Sequence, residues 1–199
     1  MSTLKKYTSL IFLCLQVQSL FAQAPFMRQI GEREGLPSQI IYEIKQDRQG
    51  FIWLGTDVGI FRYDGYTFQG YEVPEAQGVS FSDFKEDPQG RIFFTNFSGQ
   101  LFFWQNDKIT ALPLPKACKD FGILDYDIDR RGGLWLVANG LYFSDNLGKT
   151  WRKYSLQNTK NKDLITRVVV DTHHKVWVLA DALYTLAGQE FVRIDPLIE

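Results

Sequence analysis

A short turn-and-strand pattern recurs four times along the chain with a fixed period. Each copy has an Asp-x-x-Gly turn followed by a strand with an aromatic residue at its centre. The aromatic residues are Trp53, Phe93, Trp135 and Trp177. They lie ~42 residues apart, a period typical of β-propellers, in which each blade is a four-stranded sheet. The pattern therefore predicts an all-β fold, a β-propeller of four-stranded antiparallel blades.

The turns of the repeat have a common chemistry. An Asp side chain accepts backbone hydrogen bonds inside a tight turn, and Gly adopts the left-handed conformation. The turn positions are Asp47 and Gly50, Asp87 and Gly90, Asp129 and Gly132, and Asp171. His174 replaces glycine in the fourth turn, and because His tolerates the left-handed region better than most residues, we expect that turn to persist.

About four blades fill the chain, at about 36–71, 79–112, 121–154 and 164–194. A four-stranded sheet cannot bury both faces alone, so we expect successive blades to stack. Residues 26–30 would form the outer strand that closes the ring, yet a partner blade for them is missing, which predicts an incomplete ring. Three alternatives remain open. The chain is a fragment of a longer protein, or four blades close by themselves, or subunits complete each other.

The N-terminus predicts a signal peptide over residues 1–22, followed by propeller repeats over 23–199. Lys5 and Lys6 precede an apolar run at 10–15, and Ala22 offers a small residue for cleavage. This places the mature chain in the periplasm or outside the cell. Cleavage would remove Cys14 and leave Cys118 with no partner for an intramolecular disulfide.

Blade one resembles a known repeat. The run Gly35-Leu36-Pro37-Ser38, then residues 47–56 and then 59–65, is similar to the two-component regulator propeller repeat, and the looser likeness extends over about 26–194. The resemblance implies the periplasmic sensor part of a bacterial sensor histidine kinase. Such proteins usually have seven blades, a membrane span and a kinase module, so the resemblance implies that this chain is a fragment.

Blade three contains a second resemblance, to the Asp-box hairpin of sialidase-type propellers. The matching residues are Ser144, Asn146, Gly148, Thr150 and Trp151, with Asn146 where the Asp belongs. We interpret this box as a turn device, since short polar side chains fix the loop and the Trp packs between blades.

The sequence contains no recognisable catalytic or cofactor-binding motif. The chain has no Gly-rich nucleotide loop and no Gly-x-Ser-x-Gly elbow, and its two His residues are adjacent in a turn, at 173 and 174. The sequence therefore predicts a non-enzyme with no cofactor. A net charge of −1 without a basic stripe argues against nucleic acid as a partner.

One set of charged residues occupies equivalent positions in successive blades. Four residues before each turn Asp lie Glu43, Asp83, Asp125 and Arg167. If this position faces the central channel, the three acids could bind Ca²⁺ or a cationic ligand. The alternative is that they are solvated charges at strand ends.

The function that we expect is a ligand-sensing module of a two-component system, shifting a conformational equilibrium that reaches a kinase. The ligand would be a small molecule or a glycan, and Tyr66, Tyr71 and Trp104 could stack on sugar rings if they are not inter-blade packing. Other blades or another subunit would close the ring. The rival functions are a sialidase-like glycoside hydrolase and a secreted binding scaffold.

Overall fold

The computed structural model describes residues 27–118, 122–159 and 165–194. The chain divides into two compact units, Met1–Gly31 and Glu32–Glu199. The signal peptide predicted at 1–22 lies outside the described residues. In the first unit, residues 27–31 form no strand, so the predicted ring-closing strand at 26–30 is wrong for those residues. A strand needs a neighbour for its backbone hydrogen bonds, and the described part of this unit contains none.

In the described chain, no helix is both long enough and apolar enough to span a membrane.

The second unit opens with a 3-10 turn at Glu32–Glu34 and continues as four sheets. The first sheet is β1 (Ile41–Gln46), β2 (Ile52–Thr56), β3 (Ile60–Tyr63) and β4 (Phe68–Tyr71). The second is β5 (Phe81–Glu86), β6 (Ile92–Asn96), β7 (Leu101–Gln105) and β8 (Lys108–Ala111). The third is β9 (Asp125–Ile128), β10 (Leu134–Ala138), β11 (Gly140–Ser144) and β12 (Arg152–Tyr154). The fourth is β13 (Arg167–Val170), β14 (Val176–Leu179), β15 (Leu183–Ala187) and β16 (Glu190–Arg193).

Each sheet is an antiparallel meander in which strands pair in chain order. The first strands of successive sheets pack on one another, β1 on β5, β5 on β9 and β9 on β13, and are therefore the innermost strands. Among the described residues, packing of this extent joins only consecutive sheets. The prediction of four propeller blades is confirmed, and they form an open arc rather than a closed ring.

Apolar clusters between consecutive blades hold the arc together. Trp53 and Ile60 of blade one pack with Phe84 and Phe94 of blade two, and all four are nearly inaccessible to solvent. Equivalent clusters join blade two to blade three and blade three to blade four. Each blade has an apolar surface on both faces. Stacking of consecutive blades therefore buries apolar surface that a single sheet would expose to water.

The Asp-x-x-Gly turns have the predicted geometry. Asp47 Oδ1 accepts hydrogen bonds from the backbone N–H groups of Gln49 (3.0 Å) and Phe51 (2.9 Å), and the same pair of bonds recurs in the other three turns. His174 has a φ of 66°, which confirms that it takes the glycine conformation in the fourth turn.

The second oxygen of the turn Asp reveals a contact that the repeat pattern did not predict. Trp53 Nε1 donates to Asp47 Oδ2 at 2.8 Å, and Trp177 repeats this bond with Asp171. Blade two has Phe93 at the aromatic position, and there Arg91 Nε donates to Asp87 Oδ2 instead, at 2.5 Å.

Blade three departs from this pattern although it has both the turn aspartate, Asp129, and the tryptophan, Trp135. Trp135 packs against Phe143, Tyr154 and Phe191, and its buried Nε1 has no hydrogen-bond partner. The aromatic cluster between blades three and four thus sets the orientation of this indole.

The hairpin after β11 is fixed by its own short polar side chains. Ser144 Oγ accepts a hydrogen bond from Gly148 N at 2.9 Å, and Asn146 Oδ1 accepts one from Thr150 N at 3.0 Å. Trp151 Nε1 donates to Pro113 O, in the segment that leaves blade two, at 2.9 Å. These hydrogen bonds fix the loop between β11 and β12.

Candidate binding cleft at the inner strands

The arc has two edges with different chemistry. The loop edge comprises the residues before the inner strands (38–40, 79–80, 123–124, 165–166) and the loops between second and third strands (57–59, 97–100, 139, 180–182). The turn edge comprises the Asp-x-x-Gly turns (47–51, 87–91, 129–133, 171–175) and the loops between third and fourth strands (64–67, 106–107, 145–151, 188–189). Antiparallel pairing places each set at one end of the strands.

A cleft of about 360 Å³ opens beside the inner strands near the loop edge. Its lining residues are Glu43, Ser82, Asp83, Thr95, Ile123, Leu124, Asp125 and Arg167. The structure therefore brings together all four charged residues that the repeat placed at equivalent positions.

Two of the three acids also link neighbouring blades. Glu43 Oε2 accepts a hydrogen bond from Phe84 N of blade two at 3.0 Å, and Asp125 Oδ2 accepts one from Val168 N of blade four at 2.8 Å. Each bond joins an inner strand to the next inner strand. These two carboxylates therefore satisfy backbone donors, which is a structural role.

Asp83 makes a different contact. Its backbone lies in the left-handed region with a φ of 59°, and the β5–β6 register shifts between Ser82 and Lys85. This bulge turns the Asp83 carbonyl toward blade three, where it accepts a hydrogen bond from Tyr126 Oη. The Asp83 carboxylate has Lys85 Nζ at 3.7 Å, and its side chain is 37% exposed in the cleft.

Burial and neighbouring charges together perturb the ionisation of Asp83. The pKa of Asp83 is raised to about 6, chiefly because the group is buried, while Lys85 lowers the pKa and the carboxylates of Asp125, Glu43 and Asp127 raise it. Lys85 Nζ also lies 3.8 Å from Asp127 Oδ1. The cleft thus contains a carboxyl group that exchanges its proton near neutral pH.

The geometry gives no support to a metal site in the described part of the chain. No group of three or more His, Cys, Asp or Glu residues is arranged there to hold an ion. Glu43 and Asp125 line the cleft, but each has an oxygen engaged by a backbone N–H group.

The three aromatic residues considered for sugar stacking separate into two groups. Tyr71 lies 5.6 Å from Trp53 and 6.3 Å from Trp104, measured between ring centroids, so both Tyr71 and Trp104 belong to the packing between blades one and two. Tyr66 is 87% exposed, but it lies in the turn edge, away from the cleft.

Sequence reasoning missed Lys85 and Tyr42 of the cleft region. Lys85 lies 3.7 Å from Asp83 and 3.8 Å from Asp127, and Tyr42 lies at a register shift in β1 between Ile41 and Glu43. The alternation of acids at 125 and 127, in contrast, is visible in the sequence. A bulge has no comparable signal in a single sequence.

Four stacked antiparallel four-stranded sheets with a cleft at their inner strands define a β-propeller. Residues 35–58, in blade one, match the family described as Two component regulator propeller. This segment of blade one is therefore similar to that repeat. No curated protein matches the chain.

Several solved structures share the fold. One is the extracellular domain of a hybrid two component system from B. thetaiotaomicron, with 16% identity, a TM-score of 0.63, and 85% of this chain and 26% of that chain covered. Another is the extracellular domain of a one component system from the same organism, with 22% identity, a TM-score of 0.60, and 77% and 22% covered. A third is virginiamycin B lyase from Staphylococcus aureus, with 15% identity, a TM-score of 0.63, and 82% and 59% covered. The chain spans about a quarter of the first two structures.

Proposed function

We propose that this chain is the extracytoplasmic, ligand-sensing propeller module of a two-component signal transduction system and is not itself catalytic. The observation that carries the proposal is the match of residues 35–58 to the two component regulator propeller repeat. Two of the similar structures are extracellular domains of signalling systems, which supports the same function. After removal of residues 1–22, the module would act in the periplasm.

The cleft at the inner strands is the recognition site in this proposal. All four blades line it, since Glu43, Asp83 and Asp125 come from blades one, two and three and Arg167 comes from blade four. A ligand that contacts all four would favour one relative arrangement of the blades, and differential affinity for two arrangements is what shifts a conformational equilibrium. Further blades, or a second subunit, would complete the ring around this cleft.

A glycoside hydrolase is the weaker candidate. Such enzymes need a pair of carboxyl groups free to act as acid and as base or nucleophile. Glu43 and Asp125 each accept a hydrogen bond from a backbone N–H group of the next blade. Of the three acids that line the described cleft, Asp83 is then the one whose carboxylate makes no such bond.

The proposal is tested in the organism that encodes the chain. An in-frame deletion of codons 41–193 in the chromosomal gene should change the transcript levels of a discrete set of genes, measured by RNA sequencing. Complementation with the intact gene is the control and should restore the pattern. An unchanged transcript profile under every growth condition that expresses the gene would favour a secreted scaffold instead.

A further inference from the structure

Large apolar side chains are exposed along the loop edge of the first three blades and, for Tyr42, in β1 next to that edge. They are Ile40, Tyr42, Val58, Val79, Phe97 and Leu124, each between 43% and 63% exposed. Backbone hydrogen bonds hold their segments at one edge, from Asp57 N to Ile40 O (3.4 Å) and from Phe97 N to Ser80 O (3.2 Å). Clustered exposed apolar side chains mark interaction surfaces.

The turn edge has the opposite character. Among the described residues, Tyr66 is the one large hydrophobic side chain exposed there, and Phe51 in the first Asp-x-x-Gly turn is half-buried. General exposure of apolar residues would affect both edges alike. The difference therefore points to a partner that covers the loop edge.

An aromatic pair at the loop edge bridges two blades. The ring centroids of Tyr42 and Phe97 are 4.6 Å apart, with 51° between the ring planes. Tyr42 lies at the register shift of β1, and bulges commonly re-aim side chains beside binding sites. Both rings remain accessible at 43% and 63%, and they lie one and two residues along the chain from Glu43 and Thr95, which line the cleft.

Charge defines what can enter that cleft. Its lining has three carboxylates against the guanidinium of Arg167, which lies 3.9 Å from Asp125. The surrounding groups add Asp127 and Lys85. The other carboxylates oppose ionisation of Asp83, and a cation placed among them would relieve that repulsion. Exposed aromatic rings also attract cations.

We propose that the loop edge docks a polypeptide segment in which a Lys or Arg side chain is flanked by apolar residues. The basic side chain enters the inner cleft, and the apolar neighbours cover Tyr42, Phe97 and Leu124. A polypeptide fits because the exposed apolar residues extend over three blades, well beyond a cleft of about 360 Å³. This docking surface rests on the proposed function, in which the cleft is the recognition site.

The test is a selection from a random heptapeptide phage library against the purified chain at pH 7.5. We expect enriched peptides that combine one Lys or Arg with apolar or aromatic neighbours. Synthetic versions of these peptides, followed by fluorescence anisotropy, should bind at least tenfold more weakly when the basic residue is replaced by Glu. Free n-butylamine and neutral oligosaccharides should not compete at equal concentration.

Two variants locate the site. Phe97→Ser and Asp83→Asn should each weaken binding of the selected peptide by at least fivefold, whereas Tyr66→Ser, at the turn edge, should leave it unchanged. Circular dichroism and thermal melting confirm that the variants remain folded.

Three outcomes would overturn the docking proposal. They are no enriched sequence, enrichment of acidic peptides, and equal binding by the loop-edge and turn-edge variants. If any of these outcomes occurs while the deletion strain shows an altered transcript profile, the peptide-docking proposal is rejected and the proposed sensor function is retained. Competition by n-butylamine alone would also reject the peptide, because it would indicate a small cationic ligand.

Discussion

The carboxylate of Asp125 in blade three accepts a 2.8 Å hydrogen bond from the backbone N–H of Val168 in blade four. Glu43 makes the equivalent bond to Phe84 between blades one and two. Asp127 adds a third, to Val170 N at 2.7 Å. Acidic side chains on inner strands thus accept hydrogen bonds from backbone N–H groups of the next blade. They therefore contribute to the packing of the blades as well as to the charge of the cleft.

Replacing Asp125 should weaken the junction between blades three and four. In Asp125→Ala, the buried N–H of Val168 loses its acceptor, and an unsatisfied buried donor costs about 1–3 kcal/mol. The free energy of unfolding, measured by urea denaturation at pH 7, should fall by that amount. Asp145→Ala, at an exposed hairpin position, is the matched control and should change it by less than about 0.5 kcal/mol. Equal stabilities for the two variants would contradict the structural role.

Asp83 should make stability depend on pH. Its pKa is raised to about 6 from 3.8, so the folded state binds this proton more tightly than the unfolded state does. The resulting stabilisation is fully present below pH 3.8 and is lost as pH rises through about 6.

The variant Asp83→Asn removes this dependence and keeps a residue type that tolerates a positive φ. Relative to the wild type, we expect it to gain about 1 kcal/mol of stability at pH 7.5, a value reduced by the solvent exposure of the side chain. The gain should vanish near pH 4. Melting temperatures from pH 4 to 8 check this, and a gain independent of pH would rule out the ionisation of Asp83 as its source.

Two of the three blade-centre tryptophans, Trp53 and Trp135, should respond differently to removal of the indole N–H. Trp53→Phe leaves Asp47 without a donor that now lies at 2.8 Å, at a cost of about 1.5–3 kcal/mol for a bond to a charged group. Trp135→Phe removes a buried N–H that has no partner. Because an unsatisfied buried donor destabilises the fold, its removal offsets part of the stability that the variant loses through poorer packing. Chemical denaturation should show the larger loss for Trp53→Phe, and the reverse order would contradict the assigned bonds.

Cys118 should be unreactive in the folded protein. It is 6% exposed, and burial raises the pKa of its thiol to about 11. Since the thiolate is the reactive form, labelling by a maleimide or by DTNB at pH 8 should be at least tenfold slower than in 6 M guanidinium chloride. Rapid labelling without denaturant would indicate that the segment around residue 118 opens readily.

Most of the fold could be predicted from the sequence because the repeat determines it locally. The Asp-x-x-Gly turns fix the hairpins between first and second strands, and the aromatic period fixes blade size. The repeat also placed Glu43, Asp83, Asp125 and Arg167 at one position per blade, and the structure brings them together in one cleft.

What the sequence could not provide depends on register and on packing across blades. The bulge at Asp83 changes which of its atoms faces blade three, and its left-handed backbone has no signature in a single chain. The orientation of the Trp135 indole follows from its contacts with Phe143, Tyr154 and Phe191. The exposed loop edge became visible only once strand ends were assembled in space.

The most direct test of the account compares the two edges in living cells. In one strain the chromosomal gene would carry Asp83→Asn in the cleft together with Phe97→Ser at the loop edge, the loop-edge variant. In the other strain it would carry Tyr66→Ser with Arg131→Gln, the turn-edge variant. RNA sequencing would measure the transcripts of the genes that the deletion affects. The account predicts that the loop-edge variant reproduces the deletion profile while the turn-edge variant matches the wild type, with both proteins present at equal levels. A wild-type profile in the loop-edge variant, or a deletion profile in the turn-edge variant, would contradict recognition at the inner-strand cleft.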